Sequence, residues 1–254
     1  MEETMIIVYR MCAYTQGYEK KKLFDPNNKE KCMTNFLSVW RGKDISNTDK
    51  MIIMVDKNRP DPKLDAELEA IELTYGKQLI VPTTLGSSGK SFRYAFEYIL
   101  NSGYSPEEVV FFLEDDYIFL PNARTVLLEG LTRANYVTLY CHPDKFTPAS
   151  QGGNPEVDDG GSTITRIFKT ASAFWALCNS TTMTFATTVK ILHEDTDIIR
   201  KHTNGDYPTD YQMFLELREK GRTLIQPLPT FATHTEIAWL APLIGTGINS
   251  WSDV

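Results

Sequence analysis

An α/β fold built on a largely parallel sheet is predicted by two features of the chain and supported by a third. Strand-like apolar runs alternate with helical stripes through the first half, and one of those runs is apolar throughout, as in a strand covered on both faces. The 254 residues, 42% hydrophobic and 23% charged, suit one domain with a sizeable core and exclude both a disordered chain and a membrane-embedded one.

Taken in order, Met5 to Tyr9 reads as a strand, and Met33, Phe36, Leu37 and Trp40 then recur at helical i, i+3, i+4, i+7 spacing. A second strand, Met51 to Val55, ends at Asp56; Leu64, Leu68 and Ile71 mark a helix before a third strand from Gln78 to Val81. Phe92, Ala95, Phe96 and Ile99 form the next helical stripe, ahead of the continuous apolar run Val109 to Leu113. Residues Pro143 to Ser162 are rich in Gly, Pro, Asp and Ser with no apolar period, so a long loop is expected there, of a length that often serves as a functional lid. Beyond it the pattern predicts a strand pair within Thr163 to Cys178, helices from Thr182 to His193 and from Pro208 to Lys220, and a closing strand from Thr223 to Gln226. There are no internal repeats. The expected organisation is a single domain with a nucleotide-binding half over 1–120 and an acceptor and catalytic half over 121–254.

Lys+Arg 26 against Asp+Glu 33 gives a formal charge of -7, a field that repels a phosphate backbone, so nucleic acid is not the expected partner. Cys12, Cys32, Cys141 and Cys178 are widely spaced without a paired CxxC, which points to reduced thiols and a cytoplasmic setting. No targeting or transmembrane segment is expected, and Lys20-Lys21-Lys22 reads as a solvated loop.

Chemistry concentrates at Glu114-Asp115-Asp116, which directly follows the apolar run. Ligands bind at the carboxyl ends of strands in open α/β sheets. Three adjacent carboxylates there raise one another's protonation unless a cation neutralises them, and hard oxygen donors suit Mg²⁺ or Mn²⁺.

Val109 to Asp116 resembles the strand and Asp-x-Asp-type metal motif of the GT-A-fold, nucleotide-sugar glycosyltransferases, in a Glu-Asp-Asp form. The resemblance implies a Rossmann-type mixed sheet with helices on both faces. It implies that Asp116 binds a Mn²⁺ or Mg²⁺ bridging the donor's diphosphate, with Glu114 and Asp115 contacting ribose or metal-bound water. Thr209-Asp210-Tyr211 before a helix that ends at Gly221-Arg222 is similar to the acidic position that serves inverting members as general base. The same residue type also suits a helix start, where it caps and meets the dipole. His234, in Phe231-Ala-Thr-His-Thr-Glu236, matches a histidine that several members supply as a metal ligand; His142, His193 and His202 carry weaker claims. Asp56 matches the acid that pairs with uracil or ribose, and Gly86-Ser-Ser-Gly-Lys-Ser91 with Arg93 matches a glycine turn and basic residue near the donor. Here the commonest Arg-Asn form is absent, so Gly86, Lys90 and Arg93 carry over by position alone. Trp175 is a candidate to stack on a sugar face, against the alternative of a core aromatic. The implied activity is transfer of a sugar from a nucleotide-diphosphate donor, of the UDP-sugar class, to a glycan or other hydroxyl acceptor by a hexosyltransferase-like enzyme.

A rival outline is a P-loop-type NTPase or kinase using Lys90 and the Glu114–Asp116 acids. Its phosphate-binding motif requires a glycine where Thr84 stands, and it leaves Asp210 and His234 without roles. A nonenzymatic sugar-binding module is the third reading, and the carboxylate set with a candidate base argues against it.

Overall fold

The computed structural model describes residues 4–12, 28–41, 49–57, 62–75, 79–251 and 254; Lys20-Lys21-Lys22 lies outside them. In chain order the elements are β1 (Met5–Cys12), α1 (Asn28–Arg41), β2 (Lys50–Asp56), α2 (Pro62–Tyr75), β3 (Leu79–Thr83), α3 (Ser88–Asn101), β4 (Val109–Glu114) and β5 (Tyr117–Phe119). There follow α4 (Ala123–Leu131), β6 (Tyr136–Val137), β7 (Ile167–Lys169), β8 (Phe174–Leu177), β9 (Phe185–Thr188), α5 (Val189–Glu194), α6 (Thr196–His202), α7 (Asp210–Glu219), β10 (Leu224–Leu228) and β11 (Ala232–His234). The chain forms two compact units, each assembled from several stretches, with divisions after Asp115, Thr181 and Gly221.

Whereas α1 belongs to the second unit, the first unit holds β1 to β4 with α2 and α3, and β9 with α5 to α7. Its strands run in the order β3-β2-β1-β4, all parallel, with β9 antiparallel on the far side of β4. β1 and β4 are central, which is why their sequences are apolar on both faces: Ile6, Val8, Val110, Phe111, Phe112 and Leu113 are wholly buried. The predicted stripe of α3 is buried in full, and the helix opens on Ser87, whose side chain accepts the Lys90 amide.

One element differs from the sequence expectation. The stretch from Thr182 to His193 is not one helix: Phe185-Ala186-Thr187-Thr188 extends as β9, pairing Phe112 with Phe185 and Val110 with Thr187, and α5 begins only at Val189. β-branched and aromatic residues fit a pleated surface beside an apolar strand better than a short helix. Phe185 joins a ring cluster with Phe92, Phe112 and Phe214, and Thr188 caps α5 by accepting the Ile191 amide.

In the second unit β6 runs parallel to β10, β8 antiparallel to β10, and β7 antiparallel to β8, while β5 and β11 form a separate antiparallel ribbon. The predicted strand pair thus occurs as β7 and β8. The long segment from Pro143 to Ser162 has short 3-10 turns at Pro143–Phe146 and Ala149–Gln151. It is fastened by buried polar groups: Asn154 and Asn179 exchange amide hydrogen bonds at 2.9 and 3.0 Å, and Lys145 donates to the Ser180 carbonyl at 3.1 Å.

α1 lies against β5 through Phe36, Trp40 and Phe119. Buried Asn35 donates to the Phe119 carbonyl at 3.1 Å and accepts the Phe119 amide at 2.7 Å, satisfying the strand backbone with a side chain. Replacing Asn35 with Ala leaves both backbone groups buried without that partner and should cost about 1–3 kcal/mol. Urea unfolding of the variant checks this, and an unchanged midpoint would refute it.

Candidate functional site

In the first unit, the strand ends carry the predicted carboxylates, and each is engaged by a donor. Asp56, closing β2, accepts the Leu85 amide at 2.8 Å and the Gly86 amide at 2.6 Å. Gly86 has φ +73°, the left-handed conformation this turn requires. Asp56 and Gly86, singled out separately in the sequence, therefore meet as one turn.

Glu114 ends β4 and pairs with Arg10 of β1, Nη2 to Oε1 at 2.8 Å, while Ser88 Oγ donates to the same oxygen at 3.2 Å. Arg10 is 4% exposed, and its guanidinium lies 5.2 Å from the centre of the Phe92 ring. Asp115 accepts the Cys12 amide at 3.0 Å. Sequence reading missed Arg10, although a charged residue inside the run Met5 to Met11 was the signal: a buried cation needs an acid beside it.

Asp210, first in α7, accepts the Thr182 amide at 2.9 Å. Thr182 and the next residue, Met183, both have positive φ, 52° and 60°, a strained conformation for residues with a Cβ. The carboxylate thus holds a strained turn. Lys90 is paired with Asp206 at 2.8 Å, and the Gly89 amide donates to the Asp206 carbonyl at 2.8 Å. A Cβ on Gly89 would lie 2.2 Å from the Gly205 carbonyl oxygen, which explains glycine there. The amides of Gly89 and Lys90, which a phosphate-cradling loop would turn to its ligand, are bound to Asp206 and Ser87 instead. Arg93 bonds Glu97 and the Arg200 carbonyl, both at 2.8 Å, and so ties α3 to α6. His202 lies between Thr209 and Glu216.

In the second unit, β11 pairs with β5 so that His234 stands opposite Tyr117, next in sequence to Asp116. His234 Nε2 is 3.0 Å from Asp116 Oδ2, and the Thr235 amide donates to the Asp116 carbonyl at 2.9 Å. His234 Nδ1 accepts the Glu236 amide at 3.0 Å, so in the neutral ring Nε2 carries the proton and donates it to Asp116. A carboxylate oxygen and an imidazole nitrogen side by side are a donor set suited to Mn²⁺, and a cation there would replace the shared proton. Among the described residues no group of three or more His, Cys, Asp or Glu side chains is arranged to hold a metal. The single carboxylate of the pair matches the way Mg²⁺ is commonly held, by one or two carboxylates with water and substrate phosphate completing its shell.

Trp175 is a correction. It is wholly buried, its indole rests where a Cβ on Gly130 would lie 2.6 Å from it, and Nε1 donates to Thr170 Oγ1 at 3.0 Å. Its faces pack in the core and offer nothing to a sugar.

A second histidine–aspartate pair occurs in this unit: His142 Nδ1 is 2.7 Å from Asp144 Oδ1. Burial pushes the Asp144 carboxyl up, but the hydrogen bond and charge of His142, with Lys145 and Asn154, outweigh it and hold the group below its ordinary value. A depressed carboxyl contributes stability above its unfolded value, roughly pH 4, and loses it as pH falls through the folded one. Asp144→Asn should therefore lower the melting temperature near pH 7, with the gap closing toward pH 2; a gap independent of pH would contradict the assignment.

No known family profile matches the chain, and no curated protein does so either. Solved structures do. GalNAc-T7, crystallised with UDP, GalNAc and Mn²⁺, superposes with a TM-score of 0.57 at 10% identity over 94% of this chain. The chain spans 46% of that protein's length. 4-Diphosphocytidyl-2C-methyl-D-erythritol synthase from Anaerococcus prevotii DSM 20548 gives 0.48 at 11% identity, over 95% of this chain and 94% of that one. Another synthase of that name also gives 0.48 at 11%, over 100% and 95%. At such identities the likeness is one of fold: an α/β, GT-A-like arrangement with a mixed sheet. No helix among the described residues is long and apolar enough to cross a membrane.

Proposed function

We propose that the chain is a metal-dependent glycosyltransferase that moves a sugar from a nucleotide-diphosphate donor of the UDP-sugar type to an acceptor hydroxyl, with inversion. The observation that carries this reading is the Asp116–His234 pair, 3.0 Å apart on the β5–β11 ribbon. The GT-A-like fold supports it, as does the neighbour crystallised with UDP and Mn²⁺.

Asp116 and His234 would hold a Mn²⁺ or Mg²⁺, which when bound supplies positive charge against the diphosphate leaving group. Asp56 shapes the Gly86 turn for the nucleotide side, and Arg10 neutralises Glu114. Asp210 is the proposed base: its carboxylate, aimed by the Thr182 amide, would take the proton of the acceptor hydroxyl as that oxygen attacks the anomeric carbon.

The test is donor hydrolysis and transfer across a panel of sugar nucleotides with Mn²⁺ or Mg²⁺, with ATP alongside. Turnover of a UDP-sugar is expected, and turnover of ATP alone would refute the reading. Asp116→Ala should abolish metal-dependent donor binding, and His234→Ala should weaken Mn²⁺ affinity roughly 10–100-fold, by analogy with losses around metal ligands. An unchanged Mn²⁺ titration would remove both from the metal role.

Asp210→Asn keeps shape and can still meet Thr182, yet it cannot accept a proton. Turnover should fall on the order of 10²–10⁴-fold while donor affinity stays near normal. A lower melting temperature with intact turnover, or a product of retained anomeric configuration, would contradict the base assignment.

A further inference from the structure

β7 is the last strand of its sheet: it pairs with β8, and no strand among the described residues lies on its other side. The hairpin ladder fixes which backbone groups face outward. The Leu177 amide donates to the Arg166 carbonyl at 3.3 Å, and the Thr170 amide to the Ala173 carbonyl at 2.9 Å. Bonds of an antiparallel pair fall on alternate residues, so Arg166, Phe168 and Thr170 turn their N–H and C=O toward β8 while Ile167 and Lys169 turn theirs away from it. That outer edge is open to solvent.

The side chains along it are apolar and basic. Ile167 shares a face with Lys169, which stands opposite Phe174, and Ile167 and Phe174 are 61% and 58% exposed. Two large apolar groups at diagonal positions of the hairpin therefore flank the edge. No Asp or Glu occurs from Gly160 to His193. Lys169 lies on one face of β7 and Arg166 on the other, with Phe168, whose ring centre is 5.4 Å from the Arg133 guanidinium. None of these three cations makes a side-chain hydrogen bond or ion pair with a described residue. Glu129, which reaches the hairpin turn, is taken up by Thr170 and Ser172.

An open edge with exposed apolar side chains is a template for a further strand, and the charges select which one. A second copy of β7 would bring the same three cations to the shared edge, and a lysine on an edge strand opposes such self-pairing. An acidic strand meets no such repulsion. We infer that the outer edge of β7 binds an extended acidic peptide as an added strand. Its backbone bonds Ile167 and Lys169, and its carboxylates meet Arg166, Lys169 and Arg133. This surface is independent of the glycosyl-transfer reading above.

Fluorescence polarisation with the full chain measures binding of a labelled octapeptide of alternating Glu and Val. Saturable binding is expected, weakening as salt is raised to about 0.5 M because exposed charges are screened. Hydrogen exchange at the Ile167 and Lys169 amides should slow in the complex. Ile167→Pro deletes one outward N–H and leaves the bonds to β8 in place, as an edge strand tolerates, and should weaken binding about tenfold. Reversing charge with Arg166→Glu and Lys169→Glu together should weaken it about as much, and this variant serves if the proline one does not fold. Octapeptides of alternating Lys and Val, or of alternating Glu and Pro, should not bind: the first has the wrong charge, and the second lacks half the amides. Absence of Glu-Val binding, equal binding by either control peptide, unchanged affinity in the variants, or tighter binding of a thymidine octanucleotide would overturn the inference. So would a dimer in solution that Ile167→Pro dissociates, which would give the edge to a second copy.

Discussion

Three consecutive carboxylates following a buried strand place the heaviest physical demand on this fold, because a carboxylate partly removed from water needs a hydrogen-bond donor in its place. Each has its own donor. Glu114 takes the Arg10 guanidinium, Asp115 takes the Cys12 amide, and Asp116 takes His234. The first two donors depend on register: β1 lies parallel to β4 with Arg10 opposite Glu114, and a slip of one residue would turn Arg10 to the other face of the sheet. The third depends on the register of β11 against β5. Strand pairing and the chemistry of the acids are therefore one problem with one solution.

The same economy governs the other acids. Asp56 is spent on the amides of the Gly86 turn, and Asp210 on the amide of a strained turn at Thr182. A carboxylate fixed by a backbone amide has one orientation instead of several, which is the preorganisation that binding and proton transfer require. Lys90 and Arg93 instead join α3 to the segment around Arg200 to Asp206. Their side chains tie elements of the first unit together, whatever they also contribute to a ligand.

Much of this was legible in the sequence because it follows from periodicity. The stripe of α3 and the continuous run of β4 are buried where the pattern puts them, since a residue's burial follows its spacing once the element type is right. Thr182 to His193 was misread because a short apolar stretch has no clear period, and pairing with β4 decided its state. Trp175 and Trp239 could not be told apart by composition: one fills the space beside Gly130, the other rests on His142 in solvent. Arg10 is a subtler case. Its position in an apolar strand announced a buried cation, but its partner lies 104 residues away, and only the fold supplies that pairing.

The central claim is that Asp116 and His234 make nucleotide-diphosphate binding depend on a divalent cation. Calorimetry of UDP binding to the full chain, with Mn²⁺ and then with the metal removed by chelation, tests it most directly. Saturable UDP binding is expected with Mn²⁺, lost on chelation and restored when the metal is returned. UDP binding of equal strength with and without the cation would contradict it.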